Sequence, residues 1–320
     1  MQLNAGGSLA NTLSGMAVLG RAAHDVDPRT VPAPRIGMSG CIGDDALGTF
    51  FQQQLQGSGV EWVGTPQPNT ATGTVVVLTT PDAQRSFLSF PGAGGLNLCP
   101  GTATGLARSR VTVIEGYLWE MPNAEESILR AIALAQAAGS IVVMTAADVS
   151  VVQRHRLAML RAVAAADLLF ANAEEARALA GEGLEHASPV QLPFVASQAG
   201  KRPIAEEDCL QLGQICPMVV VTCGSRGSCV AALGQLNVVP PHWAQDAPVD
   251  TCGAGDAYAA GFLHAYLRGF TVRQMGEFGA SCASSVLGRQ GPKLEEEDAC
   301  SLVASLQARL GSTSAVGAIL

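Results

Sequence analysis

The run Asp250-Thr251-Cys252-Gly253-Ala254-Gly255-Asp256-Ala257 carries the strongest chemical signal in the chain. Strand-like sequence precedes it and an apolar-periodic helix follows. Glycines on both sides of Ala254 let successive backbone N–H groups point the same way at a helix N-terminus. Such a turn is an anion site, because unpaired amides and the helix dipole both favour negative charge. Asp256 stands in the first turn of that helix, beside the anion, and suits a base that takes a proton from a hydroxyl. A tight turn with Asp256 as a plain helix cap fits the same residues, and local sequence leaves both readings open. Other phosphate-binding patterns fail. No G-x-x-x-x-G-K-[ST] run occurs, and Tyr258 stands where G-x-G-x-x-G needs its third glycine. His155-Arg156-Leu157 lacks the aspartate of a protein-kinase catalytic loop.

Positioning that turn takes a strand before it and a helix after it, and the periodicity predicts both kinds of element along the chain. Helices are expected at 7–20, 45–56, 123–138, 152–165, 173–180, 254–268, 272–287 and 295–310. Strands are expected at 35–40, 60–64, 73–80, 84–90, 111–115, 141–145, 167–171 and 218–223, with an antiparallel pair at 228–233 and 235–240. Pro81-Asp82 reads as a hairpin turn, and Asn123 with Glu126 as a capping box. Residues 183–207 read as an inserted surface loop. Strands alternating with helices predict a mostly parallel sheet with helices on both faces. The β-only patch at 60–90 does not fit that repeat and is expected to form a small lid.

Asp250-Thr-Cys-Gly-Ala-Gly-Asp-Ala-Tyr-Ala-Ala-Gly-Phe262 resembles the C-terminal signature of the ribokinase-like (PfkB-type) carbohydrate and nucleoside kinases. Further matches follow that family's order. Gly6-Gly7-Ser8-Leu9-Ala10-Asn11 resembles its N-terminal substrate motif, and Gly40 to Gly48 its Gly-Asp-Asp segment. Asn172-Ala-Glu-Glu175 matches Asn-x-x-Glu, and Val221 to Gly227 is similar to the strand-turn along the nucleotide. Glu115 to Glu120, Asp148 to Arg156 and Phe170 to Asn172 look closest to an adenosine-kinase-like subgroup. The resemblance implies a three-layer α/β/α fold with a mostly parallel central sheet and a small β lid, in one kinase domain over 1–320 with lid segments near 60–64 and 73–90. It implies transfer of the γ-phosphoryl group of ATP, with Mg²⁺, to a primary hydroxyl of a nucleoside or sugar.

Roles follow from the resemblance residue by residue. Asp256 would be the base, and Gly253, Ala254 and Gly255 would hold the transferring charge. Gly6, Gly7, Asn11 and Arg85 would meet the acceptor. Asn172, Thr222, Gly224, Gly227 and Cys282, in the stretch Cys282 to Ser285, would line the ATP groove. Glu175 would hold Mg²⁺ through water, and Asp250 and Thr251 a monovalent cation such as K⁺. Each has a plainer use: Asn172 and Glu175 as helix cap and first-turn acid, Gly6 and Gly7 as turn glycines, Arg85 as a solvated hairpin charge. Family members open with a strand carrying a substrate-gripping aspartate, and Gly6 stands five residues after Met1. The expectation is therefore an N-terminally incomplete chain, with a non-catalytic nucleotide-binding scaffold or inactive fragment as the alternative function.

Composition narrows the partners. Of the 320 residues, 48% are hydrophobic and 14% charged, which supports a large core and excludes global disorder. A formal charge of −8 with no basic stripe argues against nucleic acid as a partner. The most apolar stretches, at 128–144 and 157–173, are broken by Arg130, Arg161 and Asp167, so no membrane span is expected. Nine cysteines without a C-x-x-C pair read as reduced, mostly buried thiols. The partner expected is a small molecule, the compartment cytoplasmic, or an organelle had a transit peptide been lost, and the assembly a monomer or homodimer.

Overall fold

Short apolar runs such as Ile141-Val-Val-Met-Thr145 are too brief for helices and too apolar for a half-exposed surface, so they become strands covered on both sides. The computed structural model describes residues 3–29, 32–79, 85–95, 101–181, 203–242 and 248–311. Its elements begin with α1 (Ser8–Val26), β1 (Ile36–Met38), α2 (Ala46–Gly57), β2 (Val60–Trp62), β3 (Thr74–Thr79) and β4 (Arg85–Phe90). There follow α3 (Thr102–Leu106), β5 (Val111–Ile114), α4 (Ala124–Ala137), β6 (Ile141–Thr145), α5 (Val149–Val163), β7 (Leu168–Asn172) and α6 (Ala173–Ala180). The remainder is α7 (Ile204–Leu212), β8 (Met218–Thr222), β9 (Ser228–Ala232), β10 (Gln235–Val239), α8 (Ala254–Tyr266), α9 (Val272–Leu287) and α10 (Glu296–Gly311). The chain divides into two compact units, Met1–Gly101 with His242–Leu320, and Thr102–Pro241.

The second unit holds a six-stranded sheet in the order β10-β9-β8-β7-β6-β5. Strands β5 to β8 run parallel, and β9 and β10 turn back antiparallel. The mostly parallel sheet expected from the strand–helix alternation is thus present. Val142, Val143, Met144, Val219, Val220 and Val221 have no exposed surface. Asp167 stitches one strand junction, its Oδ2 accepting the Val142 amide at 2.7 Å.

The first unit packs α1 against α8 and α10, and α8 against α9. Gly261 allows the close α8–α9 approach, because a Cβ there would stand 2.7 Å from the Cys282 Sγ. The antiparallel β3–β4 hairpin pairs with no other strand among the described residues. It exposes Val75, Val77, Leu78, Leu88 and Phe90. Its root is pinned: Asp45 Oδ1 accepts Thr72 Oγ1 at 2.6 Å and the Gly48 amide at 2.7 Å, and Oδ2 accepts the Thr72 amide at 2.8 Å.

Three expectations change. β2 pairs in parallel with β1 rather than with the hairpin, so residues 60–64 are not part of a lid sheet. α7 occupies the end of the segment read as a loop, while 183–202 and the Pro81-Asp82 turn lie outside the described residues. Asn123 precedes α4 with φ 54° and makes no side-chain cap bond, so no capping box forms there.

Candidate active site

The turn before α8 is shaped by Gly253, at the N-cap position with φ 75°. A Cβ there would stand 2.4 Å from the Pro292 Cβ, so the left-handed backbone and the close contact both require glycine. With no side chain to cap the helix, the first-turn amides of Gly255 and Asp256 have no carbonyl partner within it. A Cβ on the exposed Gly255 would meet nothing within 4 Å, so the space beside its Cα is open. Asp250 holds the loop by accepting the amides of Cys252 at 2.9 Å and Gly291 at 3.1 Å, one on each oxygen. Its carboxylate therefore braces the backbone of the loop.

Asp256 occupies the third position of α8 and is half-buried. Ser8 Oγ donates to its Oδ1 at 2.7 Å, and Asn11 Nδ2 donates to its Oδ2 at 2.7 Å. Thr12 Oγ1 reaches its main-chain oxygen at 3.4 Å. Burial pushes the carboxyl above its ordinary range, while the bonds from Ser8 and Asn11 pull it back down. The first turn of α1 and the first turn of α8 thus meet at one carboxylate. Gly7 is the N-cap of α1 with φ 109°, and Gly6 and Gly7 are exposed beside it. Asn11, expected on the acceptor, spends its amide on Asp256. Ser8 had no role in the sequence reading, although it sits inside the Gly-Gly motif that could have flagged it.

In the second unit, Asn172 and Thr222 are register partners at the carboxyl ends of β7 and β8. Gly224 opens the tight turn after β8, and Gly227 closes it with φ 87°. Asn172 and Glu175 form a complete capping box. Asn172 Oδ1 accepts the Glu174 and Glu175 amides at 2.9 Å each, and Glu175 accepts the Asn172 amide at 2.8 Å and its Nδ2 at 2.6 Å. Burial pushes the Glu175 carboxyl up to about 7 despite the Asn172 amide, with Asp148 and Glu174 adding repulsion. No three acid, histidine or cysteine side chains among the described residues gather into a metal cluster. Mg²⁺ keeps most of its waters and takes one or two carboxylates beside phosphates, so Glu175 suits a water-mediated hold rather than a place in a cage.

Two other expected contacts resolve differently. Cys282 is fully buried against Gly261, so its side chain cannot touch a nucleotide. Ser285, three residues on, lines a pocket of about 340 Å³ with His242, Phe278, Ser281 and Leu302. Arg85 lies in β4 opposite Thr79, and its side chain is outside the described residues. Trp119 is buried and stacks on His155 with ring centroids 6.3 Å apart.

Set against known proteins, the chain matches the pfkB family carbohydrate kinases over residues 1–299, and it belongs to that family. It is 29% identical over 293 residues to an ATP-dependent ribose-1-phosphate kinase of Halopiger xanaduensis, covering 90% of this chain and 82% of that protein. The structure of adenosine kinase from Sinorhizobium meliloti is similar with a TM-score of 0.75 and 29% identity, covering 95% of this chain and 83% of the other. An E. coli protein assigned as ribokinase II, solved with ATP and Mg²⁺, shares the fold at a TM-score of 0.72 and 18% identity, covering 95% and 88%. The fold is therefore the ribokinase-like α/β fold, and the family is one of phosphotransferases with an alcohol acceptor. Among the described residues no helix is long and apolar enough to cross a membrane.

Proposed function

We propose that this chain transfers the γ-phosphoryl group of ATP to a primary hydroxyl of a nucleoside or sugar, with Asp256 as the base. The observation that carries this reading is a carboxylate at an uncapped helix N-terminus, held by two donors from a second helix. The amides of Gly255 and Asp256, with that of Ala254, which donates only at 3.4 Å to Thr251, and with Gly253 shaping the turn, would stabilise charge on the transferring group, the largest contribution available when chemistry consists of positioning and electrostatics. Asp256 would accept the acceptor's proton as the oxygen attacks phosphorus. Asn172, Thr222, Gly224 and Gly227 would contact ATP, and Glu175 would orient water on Mg²⁺, which supplies neutralisation of phosphate charge. Gly6 and Gly7 would face the acceptor. The charge of −8 supports a small-molecule acceptor over nucleic acid.

The test is Asp256→Asn, assayed with Mg-ATP over a panel of nucleosides and sugars. Phosphotransfer is expected to fall on the order of 10²–10⁴-fold while ATP binding persists. Wild-type turnover by that variant would remove Asp256 from the mechanism.

A further inference from the structure

Both donors to Asp256 come from the first turn of α1, 245 and 248 residues away in sequence. We propose that Ser8 is a positioning residue, whose hydroxyl on Oδ1 fixes the orientation of the Asp256 carboxylate and holds it ionised for proton transfer. The proposal rests on the reading of Asp256 as the base.

The geometry makes the case. A single hydrogen bond would leave the carboxylate free to turn about its Cβ–Cγ bond. Two bonds, one to each oxygen and both at 2.7 Å, fix that rotation. Each carboxylate oxygen offers about two acceptor sites. Ser8 and Asn11 therefore leave a lone pair on each oxygen for the acceptor hydroxyl. Both bonds are stronger to an ionised carboxylate than to a neutral acid, and they oppose the burial that disfavours charge. α1 presents Ser8, Asn11 and Thr12 to the group, none of them charged. Ser8 is itself half-buried, at the first position of α1 immediately after Gly7. A glycine pair that meets the acceptor and a serine that aims the base would then share one turn, coupling acceptor binding to alignment of the base.

The test uses the full chain with ¹³C-labelled aspartate carboxyls. The Asp256 resonance is the one lost in Asp256→Asn. In Ser8→Ala its titration midpoint is expected to rise by about 0.4–1 pH unit, the shift equivalent to one hydrogen bond. Ser8→Thr, which keeps the hydroxyl, should titrate like wild type. With Mg-ATP and adenosine or ribose, the acid limb of kcat/KM in Ser8→Ala should move up by the same amount. Its kcat should fall about tenfold with the KM for ATP unchanged. An unmoved midpoint in a folded Ser8→Ala protein overturns the proposal whatever the acceptor. If Asp256→Asn is inactive while Ser8→Ala matches wild type, the positioning role fails alone. If Asp256→Asn turns over normally, the base reading fails instead.

Discussion

Asp256 and Glu175 hold the same place in two helices, the third position, and burial raises both carboxyls. Their surroundings differ in one respect that separates their uses. Glu175 closes its own helix: its partner Asn172 is three residues away, and the pair satisfies the first-turn amides of α6. Asp256 follows a glycine cap that satisfies none, and its partners lie across the unit on α1. An acid that spends one acceptor position of each oxygen on its own helix end is tied to that helix, and reaches a ligand only through what the cap leaves over. One that leaves that end open and is gripped from a distance is arranged for a ligand.

Closing the open end should have the largest effect. Gly255→Ala adds a methyl into empty space within a helix, so stability should hold or rise by up to about 1 kcal/mol. Phosphotransfer should nonetheless fall roughly 10–100-fold as the methyl crowds the amides. A thermal melt beside a turnover assay reads both, and equal losses in the two would erase the distinction between the helix ends. Opening the closed end should matter less to turnover and should show in stability as well. Asn172→Ala removes the cap of α6 and should cost about 1–2 kcal/mol in denaturant unfolding. An unchanged midpoint would show that the box at α6 contributes nothing.

The smallest effect is in pH dependence. Glu175 is raised from 4.5 to about 7, so in that window the folded state binds a proton that the unfolded state has released. Stability therefore falls as pH rises from about 4.5 to about 7. Glu175→Gln preserves a box-competent side chain and removes the titration. Melting midpoints recorded across that range should lose the decline, and an identical slope in the variant would refute the assignment.

What the residues disclosed on their own depended on how local the cause was. α6 and α9 fall where the periodicity predicts, because their caps Asn172 and Thr271 act within three residues. The Gly253–Asp256 turn was legible for the same reason. α7 was missed because its first turn carries Glu206 and Glu207 after Pro203, a polar opening that imitates a loop, while its buried face includes Asp208. The pairing of β2 with β1 and the grip of Ser8 on Asp256 are set by packing between distant segments, which no spacing rule encodes. Cys282 was misplaced because motif order locates a helix without saying which face it turns inward.

The bonds at Asp45 give the hairpin a mechanical character. Thr72, the residue just ahead of β3, is tied through one carboxylate to the start of α2, and its hydroxyl also accepts the Gly43 amide at 3.0 Å. Among the described residues the two strands beyond it lean on no third strand. Such a part behaves as a cantilever clamped at one end. Bending is shared along the ladder instead of concentrating in a joint, and a load on its apolar side chains is felt as torque at the N-terminus of α2.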